Sequence, residues 1–292
     1  DNPGFYVCTS AGNEGPGLST VGLPATSESV ISVGAYLSPD TGRDLYDAAL
    51  TRETMFAFSS RGGETPKPDI VAPGSALSTV PGFVDGSARF NGTSMASPQA
   101  AGAAALLVSA ATQEGLDIHW GMVKRALIAG ARRVDGLELN TQGGGLVNVP
   151  ASWPVLRDLA ASDSARQVLW YHVETACPFQ DDGLASAAYW RVPGGAPTAP
   201  ERIGFDVTPI FHPDLGPDQR DRFMRAFSFR SEADWLDVVT GKDYVRGEDA
   251  MRVVVQYDDD GLEEPGLYSA RVIGQLSGGD LGGLAAREFY LW

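Results

Sequence analysis

The stretch FNGTSMASPQAAGAAALL, Phe90 to Leu107, decides the fold. Gly92, the hydroxyl pair Thr93-Ser94 and Pro98 come first, and a run rich in alanine and leucine follows. Gly92 lets the backbone bend and lets a ligand come close. Pro98 falls in a first helical turn, where its missing N–H does no harm. From Ser94 to Ala111 the spacing predicts a helix. Ala96, Ala100, Ala103 and Ala104 form a small face, and Leu106, Leu107 and Val108 leave almost no polar side. A helix apolar nearly all round is expected in the middle of a protein. Ser94 then stands at the mouth of a buried helix, where free N–H groups and the positive end of the helix dipole point outward. That place suits a nucleophile attacking a carbonyl, because negative charge develops beside it. On helix-start chemistry alone, the commoner reading is that Thr93 and Ser94 cap a core helix.

Working outward, FYVCTS (5–10), SVISVGA (29–35) and KPDIVA (67–72) read as short strands between loops rich in Gly, Pro, Ser and Thr. Further helices are expected at about 119–131 and 150–160, the second with Asn148 as cap and Pro150 in its first turn. Residues 40–57 read as an insertion between core strands, surface decoration by default and a substrate-side loop as the alternative. After about residue 165 the texture changes. RQVLWYHVET, AAYWRV, ERIGFDVTPIF, RFMRAFSFRS, DWLDVVT, AMRVVVQYD, GLYSARVIGQ and REFYLW alternate with period two between turn residues. That pattern predicts an antiparallel β-sandwich. The division is therefore an α/β portion over 1–164 and an all-β domain over 165–292.

A second stretch, AGNEGPG (11–17), follows the first strand directly and presents the Asn13 amide on a loop. An amide there can donate to an oxyanion. Alone it is a turn signal; beside GTSMASP it is specific. With FSSRG (Phe58–Gly62) and PDIVAPG (Pro68–Gly74) added, the chain resembles the subtilisin-like serine peptidases over about residues 5–160. The resemblance implies a parallel sheet flanked by helices, of which this chain carries the C-terminal portion. It implies Ser94 as nucleophile, with Asn13 and the Ser94 N–H as oxyanion donors. Ser10, Ala11 and Gly12 match the wall of the primary specificity pocket, and Gly92 and Thr93 complete the substrate side. Leu23-Pro24 matches a position that often holds a cis peptide. Within the family the tripeptidyl peptidase II branch is resembled more closely, through Gln99 after the Ser-Pro pair, through Val123–Trp153, and more loosely through ERIGFDVTPIF and DWLDVV.

One departure matters. The family's reaction needs a histidine base oriented by an aspartate. The chain has three histidines. His119 opens a helix, His172 lies in an alternating strand and His212 in a turn, so none is assigned as base. The missing aspartate and histidine are expected in an upstream N-terminal segment of the same protein, without which the isolated chain is expected to be inactive and poorly stable. Expected partners are that segment and a peptide or protein substrate, with an oligomer possible. A net charge of −15 argues against nucleic acid and anionic membranes, and no apolar run approaches the roughly 18 residues of a membrane span. The chemistry requires no cofactor, and no metal ligand is assigned. Calcium is conceivable at Asp181-Asp182-Gly183 and Asp258-Asp259-Asp260-Gly261, but the alternating ligand spacing is absent and solvated turns are preferred. The two cysteines make no disulfide framework, and Cys8 is expected as a buried free thiol. Asn91-Gly92-Thr93 fits a glycosylation sequon, but its place at the nucleophile loop argues against use. The compartment is open between cytoplasm and secretion. An α/β-hydrolase esterase would need glycine two residues after the serine, where Ala96 stands. A non-catalytic peptide-binding protein on a peptidase-like frame stays open.

Overall fold

A computed structural model describes residues 3–79, 87–191, 200–240, 242–262 and 265–292. The first part of the chain runs β1 (Cys8–Ser10), β2 (Ile31–Leu37), α1 (Pro39–Tyr46), β3 (Thr54–Met55), β4 (Ile70–Pro73), β5 (Ser75–Thr79), β6 (Ser87–Asn91), α2 (Thr93–Gln113), α3 (Trp120–Gly130), α4 (Leu139–Gln142), α5 (Val149–Ala161) and α6 (Asp163–Gln167). β1 and β4 flank β2 in parallel, with Cys8 opposite Ile31 and Val33 opposite Ile70. A parallel strand covered on both faces reads as a continuous apolar run, and Ile31, Val33 and Ala35 are all buried. One face packs on Ala96, Ala100, Ala103 and Leu107 of α2, backed by Met122 and Leu127 of α3 and Leu156 and Leu159 of α5. The small residues of α2 let that helix lie close to the sheet. Tyr36, Met55, Val71 and Val134 form a second cluster. α5 starts as expected: Asn148 Oδ1 accepts from Ala151 N at 3.3 Å, and Pro150 follows the cap.

Several expectations need correction, among them Pro98, which lies inside α2 as its sixth residue rather than in its first turn. α2 is not buried all round: Ala101, Gly102 and Ala105 are exposed, and Leu106 is 62% exposed. The described sheet covers one face of the helix, and no described residue covers the other. Cys8 is half-buried rather than buried, because β1 has a neighbour on one side only. Burial, with the charge of Asp69, still pushes its thiol up to about 11. Both cysteines are free. The insertion is also more than decoration, since β3 pairs antiparallel with the end of β2. Leu23-Pro24 is cis.

The second part runs β7 (Val168–Ala176), β8 (Leu184–Ala185), β9 (Arg202–Phe211), α7 (Pro217–Asp221), β10 (Met224–Ser231), β11 (Leu236–Val238), β12 (Lys242–Arg246), β13 (Met251–Tyr257), β14 (Val272–Leu276) and β15 (Arg287–Leu291). Two antiparallel sheets result, in the orders β11-β13-β9-β7-β8 and β12-β10-β14-β15. Period-two alternation turns Val173, Val207, Phe227, Val253, Val255 and Phe289 into one core shared by both sheets. AAYWRV is not a strand over its described residues. Its backbone N–H groups go elsewhere, Ala187 N to Glu64 O and Ala188 N to Trp292 O; Val192 lies outside the described residues. β12 carries KDYVR, whose charges hide its alternation, and such charge is usual on an edge strand.

The two parts are packed together. Leu281, Ala285 and Ala286 join the core beneath α2 and α3. The inaccessible Glu288 carboxylate is held by Arg125 at 3.1 Å and Arg225 at 2.9 Å. Glu28 accepts from Trp170 Nε1 at 3.0 Å and meets His172 Nδ1 at 2.9 Å.

Candidate active site

Ser94 is the second residue of α2 and is exposed. Gly92 precedes the helix in an extended conformation, and its N–H reaches Gly74 O at 2.9 Å, tying the end of β6 to the end of β4. No side chain caps α2. The capping alternative for Thr93 and Ser94 therefore falls, and the hydroxyls are free for other partners.

Thr93 is wholly buried, and its partner is Asn13. Asn13 Oδ1 accepts from Thr93 N at 3.0 Å and from Thr93 Oγ1 at 3.0 Å. Thr93 Oγ1 also accepts from Gly12 N at 3.3 Å. With its oxygen committed twice, the Asn13 amide is oriented so that Nδ2 remains as a donor. The space at Gly92 locates that donor. A β-carbon on Gly92 would lie 3.6 Å from Asn13 Nδ2 and 3.6 Å from Ser94 N. Two nitrogen donors thus lie equally near one point beside the Ser94 backbone, an arrangement that can serve a developing oxyanion.

Gly12 has φ +114, and a side chain there would meet the Glu14 carboxylate at 2.6 Å and Ser60 Oγ at 2.7 Å. Only glycine suits this turn out of β1. Ala11 behind it is buried, with its N–H on Val33 O at 3.0 Å; Ser10 is half-buried at the end of β1. The structure thus gathers Gly12, Asn13, Gly92, Thr93 and Ser94, with Ser10 and Ala11 forming the strand end that supports them. The buried role of Thr93 was not legible beforehand, because its partners Gly12 and Asn13 lie far back in the chain.

Among the described residues the Ser94 hydroxyl makes no side-chain hydrogen bond, and each histidine is engaged elsewhere. His119 precedes α3, buried, with Nε2 3.2 Å from Ala165 O; burial pushes its pKa down to about 4 and keeps it neutral. The His212 ring lies 5.8 Å from it. His172 is bound to Glu28. A buried cluster has no local signature in the sequence: Asp69 takes Lys67 Nζ at 2.7 Å, Lys124 Nζ at 3.1 Å and Ser32 N at 2.8 Å. Burial opposes the Asp69 charge, but Lys124 and Lys67 outweigh it and hold its pKa below the ordinary value. Burial lowers Lys67 to about 7 against the pull of Asp69. This cluster lines a cavity at the joint between the two parts, with Arg125 and Tyr290; a second cavity lies by Arg222 and Ser277, and neither includes Ser94.

Among the described residues no group of three or more His, Cys, Asp or Glu could hold a metal ion. The Asp182 carboxylate accepts from Leu184 N at 3.0 Å within its own turn, and the side chains of Asp259 and Asp260 lie outside the described residues. No described helix is long and apolar enough to cross a membrane.

The sequence profile of the subtilase family matches residues 1–145. Pyrolysin of Pyrococcus furiosus is 32% identical over 92% of this chain and 20% of its own length. Tripeptidyl-peptidase 2 of Drosophila melanogaster is 31% identical over 91% of this chain and 18% of its own. The chain thus spans about a fifth of the length of these relatives. The crystal structure of tripeptidyl peptidase 2 aligns with 99% of this chain and 21% of that one, with a TM-score of 0.70 at 24% identity, a likeness of fold. Profile, relatives and fold agree: the chain belongs to the subtilase family of serine peptidases.

Proposed function

We infer that Ser94 attacks a peptide carbonyl and forms an acyl-enzyme, while Asn13 Nδ2 and the Ser94 N–H hold the oxyanion. The observation that carries this is the pair of donors at 3.6 Å from one point at Gly92, with the Asn13 oxygen locked by Thr93. Gly12 and Gly92 keep the approach open, Thr93 positions Asn13, and Ser10 with Ala11 back the substrate wall. Peptide or protein chains are the substrate class. No cofactor enters this chemistry.

The proton must leave Ser94 for a base, and all three histidines of the chain have other partners. The base and its orienting aspartate come from a segment preceding residue 1. Its docking place is the exposed stripe of α2. Ser94, Pro98, Ala101 and Ala105 recur at helical spacing along that stripe, and all are exposed. The neighbouring edge of β1 is unpaired among the described residues. A segment laid there covers apolar surface and stands over the nucleophile. The boundary between peptidase portion and all-β domain falls near residue 165, where α6 gives way to β7.

A fluorophosphonate probe tests the reading. Protein that includes the upstream segment labels at Ser94, and Ser94→Ala abolishes the label. Absence of label in such a protein favours the second reading, a peptide-binding frame without catalysis, which the engaged histidines support.

A further inference from the structure

The insertion between β2 and β4 is tied to the sheet through β3, and through α1 it also reaches the strand that delivers Ser94. Ser38 caps α1 by accepting from Thr41 N at 3.0 Å, and only Gly42 of the helix is buried. The last turn of α1 faces β6. The Tyr46 hydroxyl bonds Asn91 Oδ1 and lies 3.0 Å from Ser75 Oγ, which itself donates to Asn91 Oδ1 at 2.9 Å. The Arg89 guanidinium sits 4.6 Å from the centre of the Tyr46 ring and donates to the Leu45 carbonyl, one of the orphan acceptors of the helix end. Tyr46 is anchored from behind by Phe56, edge-on at 6.0 Å, and Phe56 stacks on Phe58 at 5.0 Å.

Meanwhile β6 has little hold of its own. Arg89, Phe90 and Asn91 are exposed, and among the described residues β6 pairs with β5 alone, its end tied to β4 by the Gly92 N–H. A two-stranded ribbon is marginal by itself. Downstream, Ser94 is fixed by buried Thr93 and by α2. Upstream, among the described residues, the side-chain bonds that reach the last residues before Gly92 involve Ser75 and α1. We propose that α1 is a strut for the nucleophile segment, and that Tyr46, acting through Asn91, is a positioning residue for Ser94. Its effect on reactivity rests on the peptidase reading above; its effect on the segment does not.

The test compares wild type, Tyr46→Phe, Asn91→Ala and the double variant in protein that includes the upstream segment. Phenylalanine keeps the ring contacts and removes the hydroxyl. The expected result has three parts. Amide exchange over residues 88–95 quickens in Tyr46→Phe while exchange in α2 beyond residue 100 is unchanged. Labelling of Ser94 slows roughly two- to tenfold, the range one hydrogen bond spans, with the thermal midpoint unmoved. The double variant is no slower than Asn91→Ala, as coupling through one bond requires. Unchanged exchange over 88–95, or fully multiplicative single effects, overturns the strut. A wild type that never labels while exchange responds overturns the peptidase reading instead, and the strut then stands on exchange alone.

Discussion

Asn13 commits its oxygen to Thr93 and leaves its Nδ2 as a donor, so the proposed oxyanion donor is already oriented in the free chain. Preorganised donors of this kind are where hydrolytic enzymes gain most. Asn13→Ala should lower turnover about 10²–10³-fold with little change in KM, the magnitude known for losing this donor in subtilisin. Gly92→Ala separates space from chemistry. The Gly92 backbone is extended, which alanine adopts freely, and its methyl would sit 3.6 Å from both donors. The variant should fold with an unchanged melting temperature and lose comparable activity, because the methyl would stand between the two proposed oxyanion donors and an incoming carbonyl. A fall in stability that matches the fall in rate would contradict this geometry.

At the scale of the element, α2 has two faces with different fates. Ala96, Ala100, Ala103 and Leu107 are sealed against the sheet, whereas Ala101, Ala105 and Leu106 face solvent. Ala105→Glu should leave the melting temperature of the chain unaltered, since that side chain already meets water. Mixed with the proposed upstream segment, produced separately, the same variant should show weakened association and slower labelling of Ser94, because docking at the proposed stripe would bury an unpaired carboxylate. Equal binding by wild type and variant in calorimetry would move the docking site elsewhere.

Across the whole molecule, two histidines near the joint titrate in opposite senses. Burial lowers His119 to about 4 from 6.5, so the unfolded chain binds its proton first and stability falls as pH drops from about 6.5 towards 4. Burial also disfavours charge on His172, but Glu28, with Glu174 beyond it, outweighs that and raises its pKa. That contribution is complete below about pH 6.5 and fades as pH rises through the raised folded value. Urea midpoints across pH should therefore lose their acid-side slope in His119→Gln and flatten above pH 6.5 in His172→Gln. Parallel curves for wild type and both variants would remove the histidines from the balance.

Read from the residues alone, the chain already determines the serine at a helix start, the Asn13 loop after a strand, the short apolar strands of the first part and the alternating second part, while the parallel order came from the family resemblance. Each is written within a few neighbouring positions: apolar periodicity, a glycine where a turn needs one, a hydroxyl before a run of alanines. Tertiary structure alone decided that α2 is covered on one face, that Thr93 points inward to orient Asn13, that AAYWRV gives its N–H groups to Glu64 and Trp292, and that charged KDYVR forms an edge strand. The physical reason is common to all four. Local pattern states what a residue prefers, but its exposure and its partner are set by which distant segment arrives beside it.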